Sequence, residues 1–348
     1  MPSYNRLQML RFMAKLLHPT AEVDASYFPA PQIFWDRLVQ LGSSQLVLPA
    51  IYGALKRKKL IGHTPKDLVS YLLEITDLNY KRNTAILKQI DFLSEIFNRH
   101  QIEYVFLKGA AILIAKPYEA LSERMVGDID VLVSEKALLR TQQLLIDEGF
   151  EEVSKNYDFT KDLDSAKHLK RIVHPNFIAA VEIHRKLLDL TLKKPISSTE
   201  VLNKKRKDYD GFYIPSQKHL WQHAIFNWQF NDSGMARNAL AFRSVIDVLY
   251  LESKDELVKL KSAPKAIKHF YSLLSLYYDT YFTYYTFSKL LYKWQLSYKL
   301  INKLNNLYFR IHYLSNIAFI RLRSKTYRKR VLNHPKILCK RILSFWKK

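Results

Sequence analysis

The sequence predicts an α+β fold, in which a small sheet with flanking helices is preceded and followed by helical regions. Apolar side chains recur at helical spacing through the first hundred residues. Short runs rich in β-branched and aromatic residues, separated by turn residues, follow up to about residue 215, and helical spacing then returns. We therefore expect a helical region over 1–100, a sheet-containing domain over 101–215 and a second helical region over 216–348.

Helix and strand signals frame the first part of the sheet. Thr64 is a predicted N-cap, followed by proline and by an amphipathic pattern that runs to about Arg99. The apolar run Tyr104–Leu107 predicts the first strand. Val126–Val133 predicts the second strand, and a helix from Glu135 to Glu148 should follow it, with serine as its N-cap and glycine as its stop.

Similar signals continue toward the C-terminus. The run 178–183 is apolar except for Glu182 and predicts another strand. Ser216 is the expected N-cap of a helix that extends to about Phe230. After a polar break, the next helix is predicted over 235–252.

The composition limits the classes of function. The chain has 348 residues with 48% hydrophobic content, which is ample for a buried core. Its one cysteine, Cys339, cannot form an intrachain disulfide, and the N-terminus lacks a signal-peptide pattern, so we expect a cytoplasmic protein. No apolar run is long enough for a transmembrane span. No two of the eight glycines are separated by a single residue, which excludes dinucleotide-binding and kinase glycine loops, and a Walker A motif is absent as well.

Three acidic residues form the candidate catalytic and metal site. Asp128 and Asp130 are two positions apart in the predicted strand, so their side chains should project from the same face. Adjacent carboxylates repel each other unless a cation lies between them, and divalent ions such as Mg²⁺ prefer oxygen ligands. Glu182, a charged residue in an apolar strand, is the candidate third ligand.

The order of these motifs resembles the DNA polymerase β-like nucleotidyltransferase superfamily, in particular its branch of uncharacterised bacterial nucleotidyltransferases. The resemblance is carried by Leu107-Lys108-Gly109, Arg124, Gly127-Asp128-Ile129-Asp130 and Val181-Glu182-Ile183-His184. It covers residues 104–186 by motif and extends weakly to about residue 251. It implies a small mixed sheet and transfer of a nucleoside monophosphate from an NTP, such as ATP, to an acceptor hydroxyl.

The resemblance also implies roles for individual residues. The three carboxylates would bind two Mg²⁺ ions, or Mn²⁺ in their place. Lys108, Gly109 and Ala110 would bind the phosphates of the nucleotide, since the glycine turn opens a helix whose free N–H groups attract anions. Ala110 stands where the wider superfamily prefers glycine or serine. Arg124 would contact phosphate or brace the carboxylates, and a structural ion pair is its alternative.

Four further residues are weaker candidates. His184 lies on the same strand face as Glu182 and is either a site residue or a structural histidine. His223 is four residues from His219, a spacing that zinc sites use, but the metalloprotease glutamate is missing, so we expect cleft lining or packing. Arg243 and Asp247 are also four apart, which predicts either a partly buried ion pair or contacts to nucleotide or acceptor.

The C-terminal region carries most of the net charge of +23. Sixteen lysines and arginines lie in residues 289–348, and no acidic residue follows Asp279. Such a segment is a solvated face over a core, an RNA-binding surface or a peripheral contact to an acidic membrane surface. Two functions are therefore open: a nucleotidyltransferase acting on a small molecule, sugar, peptide or RNA, or an inactive protein of the same fold that binds RNA or membrane through its basic helices.

Overall fold

The computed structural model describes residues 5–23, 28, 30–153, 167–188 and 195–323, and it confirms the predicted α+β class. Helices precede and follow a small sheet, as expected. The N-terminal helices are α1 (Arg6–Leu17), α2 (Gln32–Ser44), α3 (Leu48–Arg57) and α4 (Lys66–Arg99). In place of an N-cap bond at the start of α4, the Thr64 hydroxyl donates to the Leu60 carbonyl, and Pro65 precedes the helix.

Among the described residues, five strands form a mixed sheet in the order β1-β2-β5-β4-β3. Only β2 and β5 pair in parallel, and the other neighbours are antiparallel. The strands are β1 (Tyr104–Leu107), β2 (Ile129–Val133), β3 (Glu151–Glu152), β4 (Ile172–Val173) and β5 (Val181–His184). Helix α5 (Lys108–Ala115) follows β1 directly, and α6 (Leu138–Asp147) follows β2 after a short 3-10 turn.

The sequence predicted that the second strand begins at Val126, but it begins at Ile129. The reason is a long-range contact from α4. The Arg82 guanidinium donates to the carbonyls of Val126 and Gly127 at 2.9 and 3.0 Å, so these groups are bound to a helix and not to a neighbouring strand. Asp128 therefore precedes the strand.

Helix α4 also fixes the segments that lead into both central strands. Its buried Asn83 donates to the Arg124 carbonyl at 2.8 Å, shortly before β2. Its buried Gln89 donates to the carbonyl of Ala179 at 2.8 Å and accepts from the N–H of the same residue at 3.1 Å, just before β5. These polar contacts hold both approach segments against one helix face, because buried amide groups need hydrogen-bond partners.

The region after the sheet is helical. Helix α7 (Ser198–Asn203) comes first. It is followed by a two-stranded ribbon of β6 (Arg206–Lys207) and β7 (Tyr213–Ile214). Helix α8 continues into a π-helical turn over Asn227–Asn231, and Ser216 is its N-cap as predicted. The helices are α8 (Gln217–Phe226), α9 (Gly234–Arg237), α10 (Phe242–Leu251), α11 (Lys254–Val258), α12 (Lys265–Leu274), α13 (Thr286–Ser297) and α14 (Lys299–Arg323).

The prediction of a single helix over 235–252 is wrong, because the helical conformation is interrupted between α9 and α10. Asn238 adopts a left-handed conformation with φ of 49°. Its amide oxygen accepts a hydrogen bond from His269 at 2.9 Å, and its amide nitrogen donates to the Ser288 carbonyl at 2.9 Å. Both partners are distant in sequence, so tertiary contacts override the local helical pattern.

In the part of the chain that the structure describes, no helix combines the length and apolar character needed to cross a membrane.

Candidate active site

The parallel pairing of β2 and β5 brings the acidic residues together. Asp130 lies directly opposite Glu182 in this register, and Ile129 lies opposite Val181. Side chains of directly paired residues point to the same face of a sheet, so both carboxylates share one face. His184 lies two residues beyond Glu182 and projects to the same side.

Asp130 is the buried centre of the cluster. Its Oδ1 accepts hydrogen bonds from Lys108 Nζ at 2.5 Å and from His184 Nε2 at 2.8 Å. Burial by itself would raise the pKa of Asp130, but the Lys108 charge and the His184 hydrogen bond outweigh it and lower the pKa. The carboxylate is therefore ionised at neutral pH.

Glu182 and Asp128 are bridged by Arg171, a residue that the sequence did not single out. Arg171 Nη2 lies 2.7 Å from Asp128 Oδ2 and 3.1 Å from Glu182 Oε1. Burial opposes ionisation of Glu182, but His184 and His168 overcome it and lower the pKa to about 2. The pKa of Asp128 is instead raised, by burial first, because Glu182 and Asp130 together with burial outweigh the Arg171 charge.

The donor set fits a hard divalent cation. Asp130, Glu182 and His184 each offer one atom, and these atoms lie within 4.8 Å of one another. Carboxylate oxygens suit Mg²⁺ or Mn²⁺, whereas imidazole is more usual for transition metals, so the two carboxylates are the better ligands and His184 orients them. Lys108 and Arg171 supply the positive charge that such an ion would bring.

The predicted phosphate turn has an unusual backbone. Lys108 is the first residue of α5 and has a left-handed φ of 48°, a conformation that lysine rarely adopts. At Gly109, an added Cβ would lie 2.9 Å from Val126 Cγ1, so only glycine lets the turn approach the segment before Asp128 this closely. Ala110 is fully buried beside this turn.

A cleft of about 270 Å³ lies between this turn and the helices after the sheet. It brings together most of the residues that the sequence singled out, whereas Glu182, His184 and Ala110 are not among the residues that line it. The predicted residues that line it are Lys108, Gly109, Arg124, Asp128, Asp130, His223, Arg243 and Asp247.

Arg124 forms a buried ion pair with Asp247 of α10. Its Nε and Nη2 atoms lie 2.7 and 2.8 Å from the two carboxylate oxygens, and the Tyr118 hydroxyl donates to the same carboxylate at 2.6 Å. The expected ion pair between Arg243 and Asp247 is absent from the described residues. The planar guanidinium of Arg124 already binds both carboxylate oxygens, which leaves no equivalent place for Arg243.

His223 lies in the cleft wall as a neutral group. Burial, followed by the nearby charge of Lys108, lowers its pKa to about 3. Its Nε2 has no hydrogen-bond partner among the described residues. His219 is instead held near the start of α8, where its Nδ1 lies 3.1 Å from the Ser216 hydroxyl. The two histidines therefore have separate surroundings, one in the cleft wall and one at the start of α8.

The sheet topology and the position of the carboxylates together indicate a class of protein. A small mixed sheet flanked by helices, with carboxylates on one face beside the turn at the start of a helix, is consistent with a small nucleotidyltransferase fold. The family model described as uncharacterised nucleotidyltransferase matches residues 31–258, and the chain belongs to this family. The resemblance inferred from the motifs is thereby confirmed. A search of curated proteins returned no match.

Proposed function

We propose that the protein transfers a nucleoside monophosphate from an NTP to an acceptor hydroxyl and releases pyrophosphate. The observation that supports this proposal is the direct pairing of Asp130, which lines the cleft, with Glu182, so that two carboxylates with lowered pKa values share one face of the sheet. The family supports a transferase. The acceptor oxygen would form a bond to the α-phosphorus, the bond to the pyrophosphate oxygen would break, and the hydroxyl proton would pass to solvent.

Asp128, Asp130 and Glu182 would hold two Mg²⁺ ions, or Mn²⁺, which would neutralise the charge that develops on the pyrophosphate. A carboxylate with a pKa of about 2 is a weak base, so Glu182 is better suited to holding a cation than to accepting the acceptor's proton. His184 would hold both Asp130 and Glu182 in place, since its Nε2 lies 2.8 and 3.5 Å from their oxygens.

The turn at the start of α5 would bind the triphosphate. Backbone N–H groups at Gly109 and Ala110 belong to the first turn of the helix, where they lack intrahelical partners. Lys108 would exchange its contact with Asp130 for a phosphate oxygen once a cation neutralises Asp130. Arg124, whose guanidinium binds both carboxylate oxygens of Asp247, would brace the cleft wall rather than bind phosphate.

The test is pyrophosphate release from each NTP with Mg²⁺ over a broad panel of acceptors. The variant Asp128→Asn/Asp130→Asn should abolish release, because it removes the ligand charges while keeping the side-chain shapes. Asp77→Asn is a matched control on the exposed face of α4 and should retain the wild-type rate. Release that is unchanged in the double variant would contradict the proposal.

The second candidate is a protein of this fold that binds RNA or an acidic membrane surface without catalysis. The observation that favours it is the exposed surface of α13 and α14, where Phe287 and Leu300 are 70% and 68% exposed between basic residues such as Lys299. The predicted basic tail beyond residue 323 lies outside the described residues. Binding to RNA or liposomes, with wild type and the double aspartate variant equally silent in the pyrophosphate assay, would favour this function.

A further inference from the structure

A second cavity of about 390 Å³ adjoins the cleft on the side away from the sheet. Asn231, Asp232 and Arg243 line both spaces, so the cavity and the cleft meet at these residues. Trp228 and Phe309 add aromatic walls to the second cavity only. The volume lies in the range of small-molecule sites.

Arg243 stands at the boundary between the two spaces, and the nearby charges of Asp247 and Asp232 only partly offset the effect of its burial. Among the described residues, no hydrogen bond or ion pair reaches its guanidinium group, because Asp247 on the same helix is bound to Arg124. Burial, followed by repulsion from Arg124, lowers the pKa of Arg243. A partly buried guanidinium with unused donors gains free energy when an anion binds it.

Arg237 provides a second guanidinium at the same cavity. Its Cζ lies 4.7 Å from the centroid of the Phe309 ring, a cation–π contact that orients the group. The position of this segment is fixed because Asn305 of α14 donates to the Arg237 carbonyl at 2.8 Å. The outer helix α14 thus helps to form the cavity wall.

Asp232 adds a hydrogen-bond acceptor between the two arginines and the cleft. Asn227 donates to one of its carboxylate oxygens at 3.2 Å, which leaves acceptor sites for another group. Two cationic donors and one carboxylate in a single small space suit a ligand that carries both an anionic group and hydroxyls. An uncharged ligand would offer only neutral hydrogen-bond acceptors to the two guanidinium groups, which form stronger hydrogen bonds with an anion.

We propose that this second cavity binds the acceptor substrate, a small hydroxylated molecule whose phosphate or carboxylate group is held by Arg237 and Arg243. The proposal rests on the proposed function. None of the residues assigned to metal and triphosphate lines this cavity, so an anion bound here would belong to a molecule other than the NTP. The acceptor hydroxyl would then reach the cleft past Asp232.

The test separates acceptor binding from catalysis. Calorimetry would measure binding of ribose 5-phosphate, ribonate and uncharged ribose to the full chain with and without Mg²⁺ and NTP. We expect wild type to bind a charged probe more tightly than ribose, and the preferred probe distinguishes phosphate from carboxylate. Arg237→Gln and Arg243→Gln should each raise Kd by roughly tenfold or more, since a charge-assisted hydrogen bond is lost.

Two controls keep the result interpretable. Arg206→Gln, on the exposed ribbon β6, should leave binding unchanged, and Arg237→Lys should give an intermediate Kd because it keeps the charge without the planar fork. The variants should bind Mg²⁺–NTP as wild type does, with the exception of Arg243→Gln, since Arg243 also borders the cleft.

Several outcomes would overturn the inference. They are equal binding of charged and uncharged probes, no binding of any charged probe, no change in Arg237→Gln, or binding that depends on Arg237 only with an RNA oligonucleotide. If binding of the charged probe depends on the arginines but Asp128→Asn/Asp130→Asn keeps full pyrophosphate release, the proposed function fails while the anion site stands. If the aspartate variant is inactive and the arginine variants bind normally, the acceptor site fails alone.

Discussion

Replacing Asp247 with alanine should lower the free energy of unfolding by about 3–5 kcal/mol. The carboxylate is 5% exposed, and its partner Arg124 is 9% exposed. The alanine variant would leave the Arg124 guanidinium buried with two donors unpaired, in addition to the lost hydrogen bond from Tyr118. The uncompensated charge, rather than the lost attraction, accounts for most of the expected change.

Removing both charges should cost much less than removing one. The double variant Arg124→Met/Asp247→Leu contains neither charge of the pair, and replacing a buried ion pair with apolar residues of similar volume is often neutral. The double-mutant cycle with Arg124→Met and Asp247→Leu should therefore give a coupling energy of about 2 kcal/mol or more. Tyr118→Phe should cost only about 1 kcal/mol, the net worth of one hydrogen bond.

Urea denaturation followed by circular dichroism measures these changes. The slope of the free energy with urea concentration should stay the same in each variant, because the surface exposed on unfolding is unchanged. Asp77→Ala, an exposed control on α4, should lie within about 0.5 kcal/mol of wild type. A loss below about 1 kcal/mol for Asp247→Ala, or additive single losses in the cycle, would refute the buried-pair argument.

The same variants decide the role of Arg124. If Arg124 acts only through its ion pair, the stable double variant should retain wild-type affinity for Mg²⁺–NTP. If Arg124 itself binds phosphate, the double variant should lose affinity while its stability stays close to that of wild type. Calorimetry with a non-hydrolysable NTP analogue separates these outcomes.

Three further predictions concern the turn, the helical region and the acidic cluster. Gly109→Ala should lower the rate of pyrophosphate release, because the added methyl group would collide with Val126. The double variant Gly109→Ala/Val126→Ala should recover part of the lost rate. The control Gly62→Ala should leave the rate unchanged, because open space surrounds Gly62. Burial lowers the pKa of His269 from 6.5 to about 4, so the folded state favours its neutral form. The free energy of unfolding should therefore be unaffected by this group above pH 6.5 and should fall by about 3 kcal/mol as the pH falls toward 4. His269→Gln should remove this component of the pH dependence in urea denaturation, and an unchanged profile would contradict the assignment. Arg171→Ala should tighten Mn²⁺ binding, measured by electron paramagnetic resonance, because the Arg171 guanidinium competes with a cation for the carboxylates of Glu182 and Asp128. Weaker Mn²⁺ binding by this variant would contradict the competition.

Short-range chemistry explains which parts of the fold the sequence could predict. The strand Tyr104–Leu107 was predicted with its observed limits, because an apolar run ends there at a Lys-Gly turn. Ser134 caps the 3-10 turn before α6 and Ser216 caps α8, each through a contact that spans three residues, and Gly149, the predicted stop, has a positive φ of 92°. In each case, the residues that decide the structure are close to one another in the sequence.

The errors arise where distant residues decide the backbone. Arg82 displaces the start of β2, and His269 stabilises the break between α9 and α10. Arg171 was missed for a related reason. It stands one residue before the pair Ile172–Val181 of the antiparallel ladder, which places it beside Glu182, and only the register of β4 and β5 reveals this. Asp128 and Asp130 were predicted to share a strand face, but Asp128 precedes β2, and only the pairing of β2 with β5 puts Glu182 beside Asp130. Their role in a metal site stays a prediction.

The register between β2 and β5 couples the geometry of this site to the stability of the fold. A slip of one position along the ladder would turn Glu182 to the opposite side of the sheet, and the same slip would bring Val181 and Ile183, which are fully buried, out of the interior. A chain that misaligns Asp130 and Glu182 would therefore also expose part of its interior. Selection against unstable folding would then preserve the register of these two acidic residues as well.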